Sequence, residues 1–151
     1  MIVHSWLVNR RHILKRPDFF KVAVASAGSH DYASLPPSGI KYFGVPKYVD
    51  GSSVRPEPDA VPENYRPFDN AELAGNLTGH LLLAYGDMDH YALPGTTLRL
   101  ANALIQAGKD FDLLYMPNHG HFFLFDPYFQ QRLRHYFVEH LHGVEPPIAG
   151  Y

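Results

Sequence analysis

Asp89, His119 and His121 are the side chains of this sequence best suited to chemistry. Asp89 closes Gly86-Asp87-Met88-Asp89, four residues after one apolar run, and His121 closes Pro117-Asn118-His119-Gly120-His121, five residues after the next. An imidazole takes the proton of a serine hydroxyl efficiently when a buried carboxylate holds its ring in the right tautomer and orientation. One crossover helix and one strand lie between Asp89 and His121, and such a crossover can bring the two loops side by side. Other readings of the same residues stay open at this point. Either histidine can be a loop imidazole bonded to a backbone carbonyl, and Asp87 fits a solvated turn. His119-x-His121 with Asp89 also has the donor types of a zinc site, although alternate loop histidines need not share one coordination geometry.

The elements that must position these loops are legible from apolar period and breakers. Residues 21–27 (KVAVASA) and 80–85 (HLLLAY) read as short buried strands, and 111–116 (FDLLYM) as a third. A helix is expected over 6–16, ending at Pro17. A second runs over 96–107, with Thr96 or Thr97 as its cap, a stripe of Leu98, Ala101, Leu104 and Ile105, and Gly108 at the left-handed C′ position. Asp126-Pro127 is a helix start, with the carboxylate as cap and proline in the first turn. Phe129, Leu133, Phe137 and Leu141 then recur every four residues until Gly143, and the tail over 145–151 should be extended. Residues 29–75 differ: seven prolines (Pro36, Pro37, Pro46, Pro56, Pro58, Pro62, Pro67) interrupt them. This predicts a long irregular excursion with at most short helices, of the kind that tends to be functional or interfacial.

Strands alternating with helices imply a parallel sheet, whose ligands sit beyond the carboxyl ends of the strands, where Asp89 and His121 fall. The chain of 151 residues suits one domain over 1–151. Its 46% hydrophobic and 19% charged residues describe a globular protein. A net charge of −2 without a dense Lys/Arg cluster argues against nucleic acid or an anionic membrane as the main partner. There is no cysteine, hence no disulfide or thiolate chemistry. The start lacks the pattern of a signal peptide, and a cytoplasmic protein is the default expectation.

Several runs carry a family likeness in combination. They are Asn76-Leu77-Thr78-Gly79-His80-Leu81-Leu82-Leu83-Ala84-Tyr85-Gly86-Asp87-Met88-Asp89, Lys109-Asp110-Phe111-Asp112-Leu113-Leu114, Met116-Pro117-Asn118, Arg16-Pro17-Asp18-Phe19-Phe20-Lys21-Val22-Ala23-Val24, and the closing stretch Tyr136 to Pro147. Together they resemble the end of the prolyl oligopeptidase / dipeptidyl peptidase IV family of serine peptidases, over residues 10 to 151. The resemblance implies a partial α/β-hydrolase fold, a three-layer αβα arrangement with the last three strands of the hydrolase sheet. It implies Asp89 as the triad acid, His121 as the base with His119 as the alternative base, no cofactor, and short peptides as substrates.

The likeness weakens at the start. The family carries Gly-x-Ser-x-Gly-Gly, a strained strand-to-helix turn that exposes the serine oxygen. Here the corresponding stretch is Ile2-Val3-His4-Ser5-Trp6-Leu7-Val8-Asn9, which keeps His4-Ser5 without the glycines, and Trp6 and Leu7 put β-carbons where that turn leaves no room. Ser5 is thus the candidate nucleophile within a degenerate motif, while Ser26 reads as a strand end. The expectation is a serine peptidase catalytic-domain fragment with an incomplete triad. The alternative is a non-catalytic remnant that pairs with itself or a full-length relative. Either leaves a sheet edge on the first strand, left open or covered by Met1-Ile2-Val3 or by a second copy, and a homo-oligomer through that edge is one expectation.

Overall fold

A computed structural model describes residues 12–57 and 60–146 of the chain. Ser5, Met1-Ile2-Val3 and most of the helix expected over 6–16 lie outside the described residues, and only its last turn, α1 (His12–Lys15), is seen. Three strands follow the expected runs closely: β1 (Val22–Ser26), β2 (His80–Gly86) and β3 (Asp112–Met116). They form a parallel sheet in the order β1-β2-β3. Val22 lies opposite His80, Leu82 opposite Asp112, and Gly86 opposite Met116.

Alternation along the strands makes the three layers, because successive side chains leave opposite faces of a sheet. On one face Ala23, Ala25, Leu81 and Leu83 pack against Ile13 and Leu14 of α1 and against Leu100, Ala101 and Leu104 of α3 (Pro94–Gln106). On the other face Val22, Val24, Leu82 and Ala84 meet Phe129, Leu133 and Tyr136 of α4 (Pro127–Phe137). Leu81, Leu82 and Leu83 are all buried, each stabilising the fold by about 2 kcal/mol relative to an exposed side chain. β3 was expected to be buried and is not: Leu113 and Tyr115 are exposed and only Met116 is fully covered. Among the described residues β3 is paired on one side alone, as is β1, so both are edges of this sheet.

α3 corrects two details of the sequence reading. α3 begins at Pro94 rather than at a threonine cap, and Leu93 at its N-cap supplies no side-chain bond. Thr96 instead turns its hydroxyl inward, bonding the carbonyls of Gly28 (3.0 Å) and Leu93 (3.0 Å). The buried stripe is Thr97, Leu100, Ala101 and Leu104, while Leu98 and Ile105 are exposed. Residues seven apart share a face, so the shift of the stripe by one position exposes both together. The C-terminus behaves as expected. Gly108 has φ +63°, the Gly108 N–H donates to Ile105 O (3.0 Å) and the Lys109 N–H to Leu104 O (2.9 Å), the bonds of a Schellman motif.

α4 starts as expected, with Asp126 Oδ1 accepting from the N–H groups of Tyr128 (2.8 Å) and Phe129 (3.2 Å). Its apolar face drifts, however. A strict spacing of four overshoots the 3.6-residue turn, so Tyr136 replaces Phe137 in the core and Leu141 ends exposed. The backbone widens into a π-helical turn over Val138–His142 before Gly143, at φ +64°, ends it. The excursion between β1 and β2 holds α2 (Pro36–Phe43) and 3-10 turns at Tyr32–Ser34, Arg66–Phe68 and Ala71–Asn76. Phe43 stacks on Phe68 at 4.3 Å and packs with Tyr32 and Tyr65. Among the described residues no helix is long and apolar enough to cross a membrane.

Candidate active site

The β2 strand ends at Gly86, and the turn that follows is built for close contact with the next loop. The Met88 N–H donates to the His119 carbonyl (3.1 Å), and the Asp89 N–H to Gly86 O (3.3 Å). A β-carbon on Gly86 would sit 2.1 Å from that same His119 oxygen. Glycine is therefore required for the two loops to meet, not for a special backbone angle. On the partner loop Asn118 takes a left-handed conformation, φ +58°, which asparagine tolerates better than other side chains. That turn carries the chain back over the end of β2.

These two turns put Asp89 and His121 together. His121 Nδ1–H donates to Asp89 Oδ2 at 2.8 Å. Asp89 Oδ1 is occupied separately by the N–H groups of Tyr91 and Ala92, both at 2.8 Å. The carboxylate is thus clamped by its own backbone and presents its second oxygen to the ring. Asp89 is 2% exposed and His121 8%, so this bond acts where water screens it little. A carboxylate partner assigns the proton to Nδ1 and leaves Nε2 as the basic nitrogen of the neutral ring. A ring held in this way can take a proton from a hydroxyl and return it to a leaving group.

His119 is turned elsewhere. Its Nδ1–H donates to the Pro117 carbonyl at 2.7 Å, and Nε2 lies 3.4 Å from Asp126 Oδ2. The Pro117 carbonyl, with Asp126 beyond it, holds this imidazole above the usual histidine range. Asp126 falls below the usual carboxylate range because the Phe129 and Tyr128 N–H groups and His119 favour its charged form. The pair thus belongs to the start of α4 rather than to Asp89. With the two imidazoles on different carboxylates, no group of three His, Asp or Glu side chains suited to a metal ion forms among the described residues. Asp87 is not merely solvated, since its Oδ2 accepts from Tyr115 O–H at 2.9 Å. Ser26 ends β1 in register with Ala84, as a strand residue. The placement of Ser5 lies outside the described residues.

Sequence reading missed a buried polar cluster that begins where β1 ends. Asp31 accepts from the Ala33 N–H (2.9 Å), the Ser34 hydroxyl (2.6 Å) and Arg55 (2.9 Å). Arg99, on α3, reaches Asp69 at 2.6 Å and lies 3.9 Å from Asp31. Asn70 donates from Nδ2 to His30 Nδ1 at 2.9 Å. Burial pushes the Asp31 carboxyl up, but Ser34 and Arg55 more than offset this and leave it below the ordinary value. At Asp69 burial wins over Arg99 and the carboxyl lies above it. No local spacing announces this cluster, because its members come from four separate segments.

Comparisons with solved structures agree with this architecture. A Bacteroides ovatus protein described as a dipeptidyl aminopeptidase IV superposes with a TM-score of 0.64 at 26% identity, over 86% of this chain and 17% of that one. Pyrococcus horikoshii acylaminoacyl peptidase gives 0.62 at 20% identity, over 91% and 23%. A Mycobacterium tuberculosis puromycin-hydrolyzing peptidase gives 0.60 at 21% identity, over 85% and 20%. At these identities the last two speak for the fold alone. The chain spans about a fifth of the length of these proteins. No curated protein sequence matches it. The described sheet, with its helices on both faces, is a partial α/β-hydrolase fold. The sequence model of the prolyl oligopeptidase family matches residues 9–143, and the chain belongs to that family.

Proposed function

We propose that this chain supplies the acid and base of a serine-type peptidase, with Asp89 orienting and His121 acting as general base. The observation that carries this reading is the buried Asp89–His121 bond, with the other Asp89 oxygen held by two backbone N–H groups. In the reaction, His121 Nε2 removes the proton of an attacking serine hydroxyl. The hydroxyl oxygen bonds to the substrate carbonyl carbon, and the proton then passes to the departing amine. Asp89 lowers the cost of the transient imidazolium and fixes its tautomer. His119 is the secondary candidate for the base, disfavoured by its bonds to Pro117 and Asp126. Ser5 is the candidate nucleophile, and short peptides are the candidate substrates.

Labelling with a fluorophosphonate probe tests this directly. Covalent labelling that disappears in Ser5→Ala, and falls at least a thousandfold in His121→Ala, is the expected result. A folded chain that takes up no label supports the second reading, a non-catalytic module that pairs with itself or a relative. The specific observation behind that second reading is the one-sided pairing of β1 and β3 among the described residues. Light scattering across a concentration series separates a self-pairing chain from a monomer. A cytoplasmic location is proposed on the same footing, and fractionation of the producing cells tests it.

A further inference from the structure

The strongest feature outside the Asp89–His121 bond is the set of aromatic rings around it. Tyr91 and Phe122 each approach the His121 ring edge-on, with centroids 5.4 Å away in both cases, and lie 6.3 Å from one another. Tyr91 is positioned by the same N–H that clamps Asp89, and Phe122 by being the residue after His121. Yet Tyr91 is 64% and Phe122 56% exposed, whereas the imidazole between them is 8% exposed. Large apolar side chains held at a reactive group and left facing solvent are poorly explained as packing, because the exposure forfeits most of their burial energy.

Beside Phe122 lies an open depression of about 430 Å³ lined by Asn118, His119, His121 and Asp126; Tyr91 is not among its walls, so it adjoins the pair of rings rather than lying between them. The charged groups in this wall, His119 and Asp126, face each other. The Asp126 carboxylate is engaged by the N–H groups of Tyr128 and Phe129, and Asp89 is buried and bonded to His121 and two N–H groups. What the site offers a ligand is therefore aromatic surface.

We infer that Tyr91 and Phe122 form a specificity subsite for an apolar, preferentially aromatic, side chain of the substrate, adjoining the bond on which His121 acts. Rings at this spacing receive a third ring in edge-to-face or offset contact. They discriminate by area, so that glycine in place of phenylalanine loses about tenfold or more in affinity. The inference deepens the peptidase reading and rests on it only for the statement that His121 acts on the neighbouring bond. Tyr91 and Phe122 are assigned binding, not proton transfer.

The test is binding, read from the His121 and Tyr91 ring resonances during titration of the whole chain with N-acetyl-phenylalanine amide and with N-acetyl-glycine amide. The phenylalanine amide is expected to shift both rings saturably, and the glycine amide to bind at least tenfold more weakly. Phe122→Ser and Tyr91→Ser should each weaken the phenylalanine amide by about tenfold, and Phe122→Leu by less. Phe19→Ser removes another exposed ring, 68% exposed, at the opposite end of the sheet, and should change nothing. Equal response to the two amides, or no response, overturns the subsite without recourse to any variant. Unaltered binding in folded Phe122→Ser and Tyr91→Ser also overturns it. Fluorophosphonate labelling keeps the two readings apart. Labelling without selective amide binding removes the subsite alone, whereas selective binding without labelling removes the hydrolytic reading and leaves the subsite.

Discussion

The loops after β2 and β3 and the excursion between β1 and β2 solve the same problem with a different balance of means. Both must hold buried carboxylates at the carboxyl end of the sheet. The first does so with backbone: Tyr91 and Ala92 N–H groups on Asp89, a Met88 N–H on the His119 carbonyl, and a glycine where the loops touch. The second adds to its local bonds, Ala33 N–H and Ser34 on Asp31 and Ala71 N–H on Asp69, side chains remote in sequence: Arg55 on Asp31, Arg99 on Asp69, and Asn70 on His30. Backbone clamps tolerate change at most side chains but fail when the chain cannot approach. Side-chain clamps fail when a single partner is removed, because a buried charge is then left uncompensated. The two regions should therefore break under different kinds of substitution.

The largest effect is expected in the excursion. Arg99→Met removes the 2.6 Å partner of Asp69 and the second guanidinium near Asp31. It should destabilise the fold by about 3 kcal/mol, read as a lowered midpoint in urea unfolding. Adding Asp69→Asn should recover part of the loss, since the orphaned charge goes with it, and the double-mutant cycle measures the coupling. If the contrast between regions is right, the Asp89–His121 bond persists in folded Arg99→Met, and the His121 Nδ1 proton remains visible in the NMR spectrum.

Gly86→Ala is the converse experiment and the next in size. The new β-carbon meets the His119 carbonyl at 2.1 Å, and backbone rather than a flexible side chain must give way. Overpacking of this kind costs about 2 kcal/mol. More tellingly, it should push the two loops apart and abolish the Nδ1 proton signal in a chain that still unfolds cooperatively. Retention of that signal would show that the loops do not depend on this approach, and would remove the backbone half of the comparison.

The same contrast explains what could be read from the amino-acid order. The loops after β2 and β3 are local, so Gly86 to Asp89 and Pro117 to His121 advertise themselves by residue type next to an apolar run. The Asp89–His121 meeting then needed only the assumption of a parallel sheet. Asp126-Pro127 and Gly108 were legible because caps are chemistry within a few residues of one another. The excursion was not, since nothing near Asp31 announces Arg55, and nothing near Asp69 announces Arg99. Exposure of Leu113 and Tyr115 escaped notice for a related reason: an apolar strand looks the same at a sheet's edge as at its centre. Tyr91 and Phe122 were passed over because aromatic residues in loops next to Asp and His carry no period to detect.

A smaller effect tests the start of α4, where both strategies coexist. Asp126→Ala removes an oxygen shared by two backbone donors, Tyr128 and Phe129, and should lower stability by about 1 kcal/mol. The change also frees His119 from its carboxylate. In thermal melts Asp126→Asn should lose less than Asp126→Ala, because the amide oxygen still caps the helix.

The smallest effect, and the sharpest in sign, is the pH dependence of His119. Its pKa in the folded chain is raised above the ordinary histidine value of about 6.5 by the Pro117 carbonyl and by Asp126. A raised pKa means that folding binds a proton more tightly than the unfolded chain does. The stabilisation is then complete below about pH 6.5 and is lost as pH rises through the higher folded value. The His119 side chain is 36% exposed, so solvent keeps the effect modest. His119→Gln should therefore lower the melting temperature slightly at pH 5.5 and converge on the parent chain as the pH rises through the folded value. A difference that grows with pH would mean that the neutral ring, not the imidazolium, is the form the fold prefers. The loop carrying His121 would then owe its position to Asn118 and the Met88–His119 bond alone, and the comparison would tip further toward backbone.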